Sequence, residues 1–133
     1  MVTTATDLKF SIIIPTYNEE KVIERTLQLL IGLDYPNKEI IVVDDSKDST
    51  PDIVRKFEKK GVVLIRPKVR GGRCEARNIG IRESKGDVVI ILNADVFLPQ
   101  DFLIKVKKYY DSGYDSVGVK PVVANTELSL IHI

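Results

Sequence analysis

This 133-residue sequence predicts an α/β fold built on a mainly parallel sheet with helices on both faces. Three observations carry that reading. Short apolar runs alternate with segments of helical periodicity from residue 10 to about residue 123. The runs are apolar at consecutive positions, as strands buried on both faces require. Polar residues collect just after each run, at the carboxyl-terminal rim where open parallel sheets bind ligands.

Phe10-Ser11-Ile12-Ile13-Ile14 is the first run and stops at Pro15. Glu19 to Leu33 then carries Val22, Ile23, Thr26, Leu27 and Leu30 at helical spacing, with an acidic first turn that suits the helix dipole. Glu39 to Val43 is a second strand and runs into Asp44-Asp45-Ser46. Thr50-Pro51-Asp52 reads as a helix start, with Thr50 as N-cap and Pro51 at the first helical position. That helix passes through Ile53, Val54 and Phe57 and stops at Gly61. Val62 to Ile65 is a third strand. After Gly71-Gly72 a helix runs through Ala76, Ile79 and Gly80 and ends near Gly86. Val88 to Leu92 is a fourth strand. A helix from Pro99 through Phe102, Val106 and Tyr110 ends at Gly113, with Tyr109 and Tyr110 expected to pack. Ser116 to Val123 reads as a fifth strand, which Pro121 confines to an edge or a bulge in its later part.

The length suits one compact domain. Twenty basic and nineteen acidic residues leave a net charge of +1, which gives no bulk argument for nucleic acid or an anionic membrane. The single Cys74 excludes an intramolecular disulfide and fits a reducing compartment. No apolar run approaches the ~18 residues that span a bilayer. The opening MVTTATDLK lacks the order of a signal peptide.

The polar strand ends are the candidate site, and each has two open readings. Asp44-Asp45-Ser46 offers acceptors for a nucleobase N–H or a ribose hydroxyl, or else a turn bonding its own backbone. Asn93-Ala94-Asp95 offers oxygen donors for a hard cation such as Mg²⁺, or else a capped turn. Arg66, Lys68, Arg70, Arg73 and Arg77 would suit a phosphate-rich ligand near a helix start, or else form a solvated basic edge. Neither a Walker loop nor a GxGxxG fingerprint is present. Cys74 has no histidine partner and reads as a small buried residue, and His132 has no assigned role.

Together "SIIIPTYNEE" (11–20), "IIVVDDSKDST" (40–50), "GGRCEARNIGIRESKGDVVIILNADV" (71–96) and "FLPQDFL" (97–103) resemble the family 2 glycosyltransferases, in family order and spacing. The resemblance implies a Rossmann-like GT-A fold, a three-layer α/β/α arrangement, over a single nucleotide-sugar-binding domain spanning 1–133, with residues 1–8 as an N-terminal extension. It implies a UDP- or GDP-sugar donor, a divalent cation (Mg²⁺ or Mn²⁺), and inverting transfer to an acceptor of unknown identity. Carried over by position, Pro15, Thr16, Tyr17 and Glu19 line the base and ribose pocket. Asp45 accepts from the base with Asp44 in support. Arg73 and Arg77 lie near the base or diphosphate, Asn93 and Ala94 contact the donor, and Asp95 holds the metal.

The sequence departs from the family pattern in two places. Asn93 stands where the family usually has an acid. A carboxylate 4 Å from a unit cation is worth roughly 4 kcal/mol, gross, at an effective dielectric near 20. Asn keeps an acceptor oxygen, and Mg²⁺ needs only one or two carboxylates plus substrate phosphates. The general base and acceptor half of the family fall later than this sequence reaches, and Glu127 matches no base motif. The expected picture is therefore a truncated GT-A domain acting in transfer. The alternative is a non-catalytic nucleotide-binding module that needs a partner chain. Expected surroundings are the cytoplasm or the cytoplasmic face of a membrane, reached only through segments outside this sequence. The apolar ending Leu128 to Ile133 would favour association, including as a homo-oligomer.

Overall fold

The apolar run at Phe10–Thr16 forms β1, which lies inside a four-stranded parallel sheet and pairs with a strand on either side. The computed structural model describes residues 8–68, 72–113, 117–120 and 129–132. In chain order β1 is followed by α1 (Ile23–Ile31), β2 (Lys38–Asp44), α2 (Thr50–Arg55), a 3₁₀ turn (Glu58–Lys60) and β3 (Val62–Ile65). Then come α3 (Gly72–Glu83), β4 (Val88–Ile91), α4 (Phe102–Asp111), β5 (Val117–Lys120) and β6 (Ser129–His132). The sheet order is β3-β2-β1-β4. The chain thus steps outward from β1 through β2 to β3, then crosses back to place β4 on the other side of β1. The strand order reverses between β1 and β4, which is where such sheets open a ligand crevice.

Register follows from which face is buried. Phe10, Ile12 and Ile14 point to one face and pack with Ile40 and Val42, with Ile23, Leu27 and Leu30 of α1, Val54 of α2, and Phe102, Leu103 and Val106 near and in α4. The ring of Tyr35 meets Phe10 edge-on at 5.0 Å, and its hydroxyl donates to the Leu8 carbonyl. Ser11 and Ile13 point to the opposite face, where α3 lies close. Cover there is incomplete: β1 and β2 are buried, while Val63 of β3 and Val89 and Ile91 of β4 are exposed. The expectation of strands covered on both faces thus holds for the two inner strands, because α3, the one helix on that side among the described residues, spans only part of the sheet.

Pro15 does not end β1 as expected, since it pairs with Val43 and the strand continues to Thr16. Alternate residues of a parallel strand bond to the same neighbour. Ile13 bonds towards β4, its carbonyl accepting from Leu92 N–H, so the missing N–H of Pro15 faces the same side beyond the last β4 pair. No ladder bond is lost there. The first helix is shorter than its periodicity predicts, because residues 19 and 20 are used in the loop bonds described below. Gly61 and Gly113 take φ of 93° and 95°, as the predicted stops require.

The predicted fifth strand does not extend the parallel sheet. β5 pairs antiparallel with β6 in a separate two-stranded sheet, Val117 opposite His132 and Lys120 opposite Ser129. An antiparallel partner needs only a short connection. The apolar ending expected to favour association thus contains a paired strand, Ser129–His132. Of the two tyrosines expected to pack, Tyr109 is partly buried and Tyr110 is exposed.

Gly80 sets how closely α3 approaches the sheet. A Cβ there would lie 2.4 Å from Ile13 Cγ2, on a β-branched side chain that is fully buried. Helix propensity alone would favour Gly80→Ala by about 1 kcal/mol. Overpacking costs about 1–3 kcal/mol and should reverse that sign. Urea unfolding of Gly80→Ala is expected to show a lowered midpoint at unchanged slope; a raised midpoint would mean that α3 is free to shift.

Candidate functional site

The rim is organised where β1 and β2 end together. Thr16 pairs with Asp44, and Asp45 N–H donates to the Thr16 carbonyl at 3.0 Å. Asp44 is 1% exposed, so its carboxylate must find its partners inside the protein. Oδ1 accepts from the Thr16 and Ser46 hydroxyls, each at 2.6 Å. Oδ2 accepts from Ser46 N–H at 3.2 Å and from Arg66 Nε at 3.1 Å. Thr16 and Asp44, both expected near the ligand, are therefore committed to each other. They frame the site.

The loop after β1 is tied to the loop after β2 by further bonds. Asn18 adopts φ of 54°, a left-handed conformation that Asn tolerates. Its N–H donates to Ser46 Oγ at 2.7 Å, and its side-chain oxygen accepts from Lys47 N–H at 2.9 Å. Glu19 N–H donates to Thr50 Oγ1 at 2.9 Å, and Thr50 Oγ1 donates to Asp48 Oδ1 at 2.5 Å. Thr50 is thus not the helix cap: Ser49 holds that position, and Thr50 sits inside α2 as a relay. Asp48 also accepts from Thr50 N–H at 2.9 Å and from Glu20 N–H at 3.3 Å. These bonds present Tyr17, 41% exposed, with the partly buried Glu19 and Asp45, at the rim. Pro15, partly buried, lies just below them in β1.

The end of β4 is built differently. Leu92 and Ala94 are buried, and the Ala94 carbonyl accepts from the Thr26 hydroxyl of α1, so the turn is anchored through its backbone. Val96 N–H closes it onto the Asn93 carbonyl at 3.1 Å. The alternating positions Asn93 and Asp95 are exposed, and their side chains have no hydrogen-bond or ion-pair partner among the described residues. With the β1–β4 offset continued, Asn93 falls beside Pro15. The first and fourth strand ends thus meet at the reversal point of the sheet.

Of the basic residues, Arg66 is bound into the frame: it pairs with Asp44, and its Nη2 donates to the Ser46 carbonyl at 2.6 Å. Lys68 is exposed. Arg77 is partly buried in α3, and its Nε is buried without a hydrogen-bond partner among the described residues. The side chains of Arg73 and Cys74, and Arg70, Gly71 and Glu127, lie outside the described residues. The described residues include no group of three or more His, Cys, Asp or Glu placed to hold a metal. One exposed carboxylate with a neutral neighbour therefore suits a cation that arrives with its own anionic oxygens, and does not suit a self-standing metal centre. The candidates from sequence left out Asn18, Asp48 and Thr50, and gave Ser46 and Arg66 no part in framing the site. The positive-φ tolerance of Asn18 was the one local signal among them.

The family model for "Glycosyl transferase family 2" matches residues 11–132. The chain is 44% identical over 95 residues to the probable glycosyltransferase YdaM of Bacillus subtilis, an alignment covering 65% of this chain and 23% of that protein. It superposes on Staphylococcus aureus TarS 1–349 in complex with UDP-GlcNAc with a TM-score of 0.78 and 31% identity, covering 90% of this chain and 36% of that one. It superposes on the mannosyltransferase PcManGT of Pyrobaculum calidifontis, in complex with GDP-Man and Mn²⁺, with a TM-score of 0.72 and 31% identity, covering 84% of this chain and 34% of that one. The chain thus spans 23% of the Bacillus relative's length and about a third of either solved chain.

Asp48 gives the loop clamp a pH signature. Burial pushes its carboxyl up, but the Thr50 hydroxyl and the amides of Thr50, Glu20 and Asp48 itself outweigh that and hold it below its ordinary 3.8. The folded chain therefore binds this proton less tightly than the unfolded chain. The stabilisation is fully present above pH 3.8 and is lost as pH falls through the lower folded value. Glu39 works in the same direction: burial raises it, but bonds from Ser11 and Lys85 N–H and the charges of Lys9 and Lys85 bring it below 4.5. In urea melts from roughly pH 6 to pH 2, Asp48→Asn should thus show a shallower acid-side loss than wild type, not a flat one. Identical slopes would show that the clamp does not depend on this charge.

Proposed function

Since the chain belongs to glycosyl transferase family 2, we propose that it is the part of a glycosyltransferase that binds the donor, a UDP- or GDP-linked sugar, together with a divalent cation. The observation that carries this reading is the contrast along one rim. The β1 and β2 ends are internally saturated and present Tyr17, Glu19 and Asp45, while the β4 end leaves Asn93 and Asp95 unpartnered among the described residues. Support also comes from the two solved relatives, which hold UDP-GlcNAc and GDP-Man, the second with Mn²⁺.

Each residue type suits its place. A carboxylate at Asp45 can accept the ring N–H of uracil or guanine. The exposed ring of Tyr17 and the carboxylate of Glu19 suit the base and ribose. Asp95 would hold the cation, Mg²⁺ or Mn²⁺, with Asn93 offering a neutral acceptor to a ribose hydroxyl. When bound, the cation supplies charge neutralisation of the leaving diphosphate. Transfer with inversion is one displacement: the acceptor oxygen bonds to the anomeric carbon as the diphosphate oxygen leaves. The acceptor's proton needs a base within hydrogen-bond reach, and no described residue is assigned that task.

Saturating UDP or GDP, or their sugars, with Mn²⁺ should raise the melting temperature by several degrees, because ligand at about 100 Kd adds roughly 2.7 kcal/mol. Asp95→Ala should abolish the part of that rise that depends on the cation and keep the part that does not. Cation without nucleotide should produce almost no shift. If neither nucleotide moves the melting curve at any cation concentration, the donor-site reading is wrong.

A further inference from the structure

The geometry points to Arg66 as a positioning residue for nucleotide binding, acting through Asp44 and Ser46 on Asp45. The inference rests on the donor-site reading above. Arg66 directly follows β3, and its guanidinium reaches back across the rim to the turn after β2. It makes two bonds to two different acceptors: Nε to Asp44 Oδ2 at 3.1 Å and Nη2 to the Ser46 carbonyl at 2.6 Å. Those acceptors lie on either side of Asp45 in the chain.

The backbone around Asp45 is consequently held at successive points. Asp45 N–H is bound to the Thr16 carbonyl, and Ser46 N–H to Asp44 Oδ2. The next peptide is gripped at both ends, its carbonyl by Arg66 and its N–H, that of Lys47, by Asn18 Oδ1. Arg66 is the one cation paired with the buried Asp44 among the described residues. Without it, Oδ2 would keep only the 3.2 Å bond from Ser46 N–H. The Arg66 side chain is 42% exposed, so it joins the solvent-facing rim to the buried carboxylate. A planar guanidinium can serve two acceptors in fixed relative positions, whereas an ammonium supplies charge without that fork. Arg66→Lys therefore keeps the charge beside Asp44 and releases the geometry.

The test combines nucleotide binding with amide exchange. By calorimetry with UDP and GDP in the presence of Mn²⁺, Arg66→Lys should bind about tenfold more weakly, the scale on which supporting partners of a ligating group act. In an Asp45→Asn background the same substitution should cost almost nothing further, because its effect passes through that carboxylate. Arg55→Lys, at the exposed pair with Asp52, serves as control and should bind as wild type. Hydrogen exchange needs no nucleotide: in Arg66→Lys the Asp45, Ser46 and Lys47 amides should exchange at least about tenfold faster, with the Ile41 amide unchanged. Wild-type affinity in Arg66→Lys, or the same fold-loss with and without Asp45, would overturn the positioning role. Unchanged exchange at 45–47 would overturn the clamp itself. A wild-type chain that binds neither nucleotide overturns the donor-site reading and the functional half of this proposal, while exchange still decides the clamp.

Discussion

A carboxylate buried at the end of a central strand has to be satisfied by the protein, and Asp44 is satisfied by groups from three different strand ends. Thr16 comes from the end of β1, Ser46 from the turn after β2, and Arg66 from the residue after β3. An unpaired charge in that position would be too costly to keep. Fixing it therefore fixes where three loops begin. The loops inherit order from the sheet through one side chain, and the residues between the fixed points inherit it in turn. Tyr17 sits between Thr16 and Asn18, and Asp45 between Asp44 and Ser46.

The fourth strand end solves a different problem. Its turn is held through its own backbone carbonyls, that of Ala94 accepting from the Thr26 hydroxyl and that of Asn93 from Val96 N–H, with the Ala94 methyl buried. Nothing in that scheme consumes the Asn93 or Asp95 side chains among the described residues. The reversal of strand order sets this turn beside the end of β1. One rim thus has a saturated half, which gives shape, and an open half, which offers ligating oxygen.

Much of this was legible in the sequence because it depends on local pattern. The four parallel strands follow from consecutive apolar residues, and Gly61 and Gly113 mark stops whose backbone angles need glycine. The rim location follows from strand direction. What was hidden depends on distant partners. Nothing near Arg66 indicates that it pairs with a carboxylate 22 positions earlier. Thr50 has the residue type and the following proline of a helix cap, yet its hydroxyl is taken by Asp48, because a part-buried carboxylate-to-loop relay competes for it. Glu19 and Glu20 carry the acidic signature of a first helical turn, and their amides go to Thr50 and Asp48 instead. The fifth strand was read from composition alone, which cannot say with which partner a strand pairs.

The single charge at the open half has a physical logic on the donor-site reading. Two carboxylates would attract a free cation more strongly, and they would also repel the diphosphate whose oxygens must complete the coordination. A neutral Asn93 lowers that repulsion and keeps an acceptor in place. Affinity for the cation alone falls, and affinity for the cation with its nucleotide suffers less. On that reading a neutral Asn93 would make cation binding depend more on the bound nucleotide than two carboxylates would. In that light the residue at 93 would tune which species the rim recognises, and the frame around Asp44 would determine where that species lies.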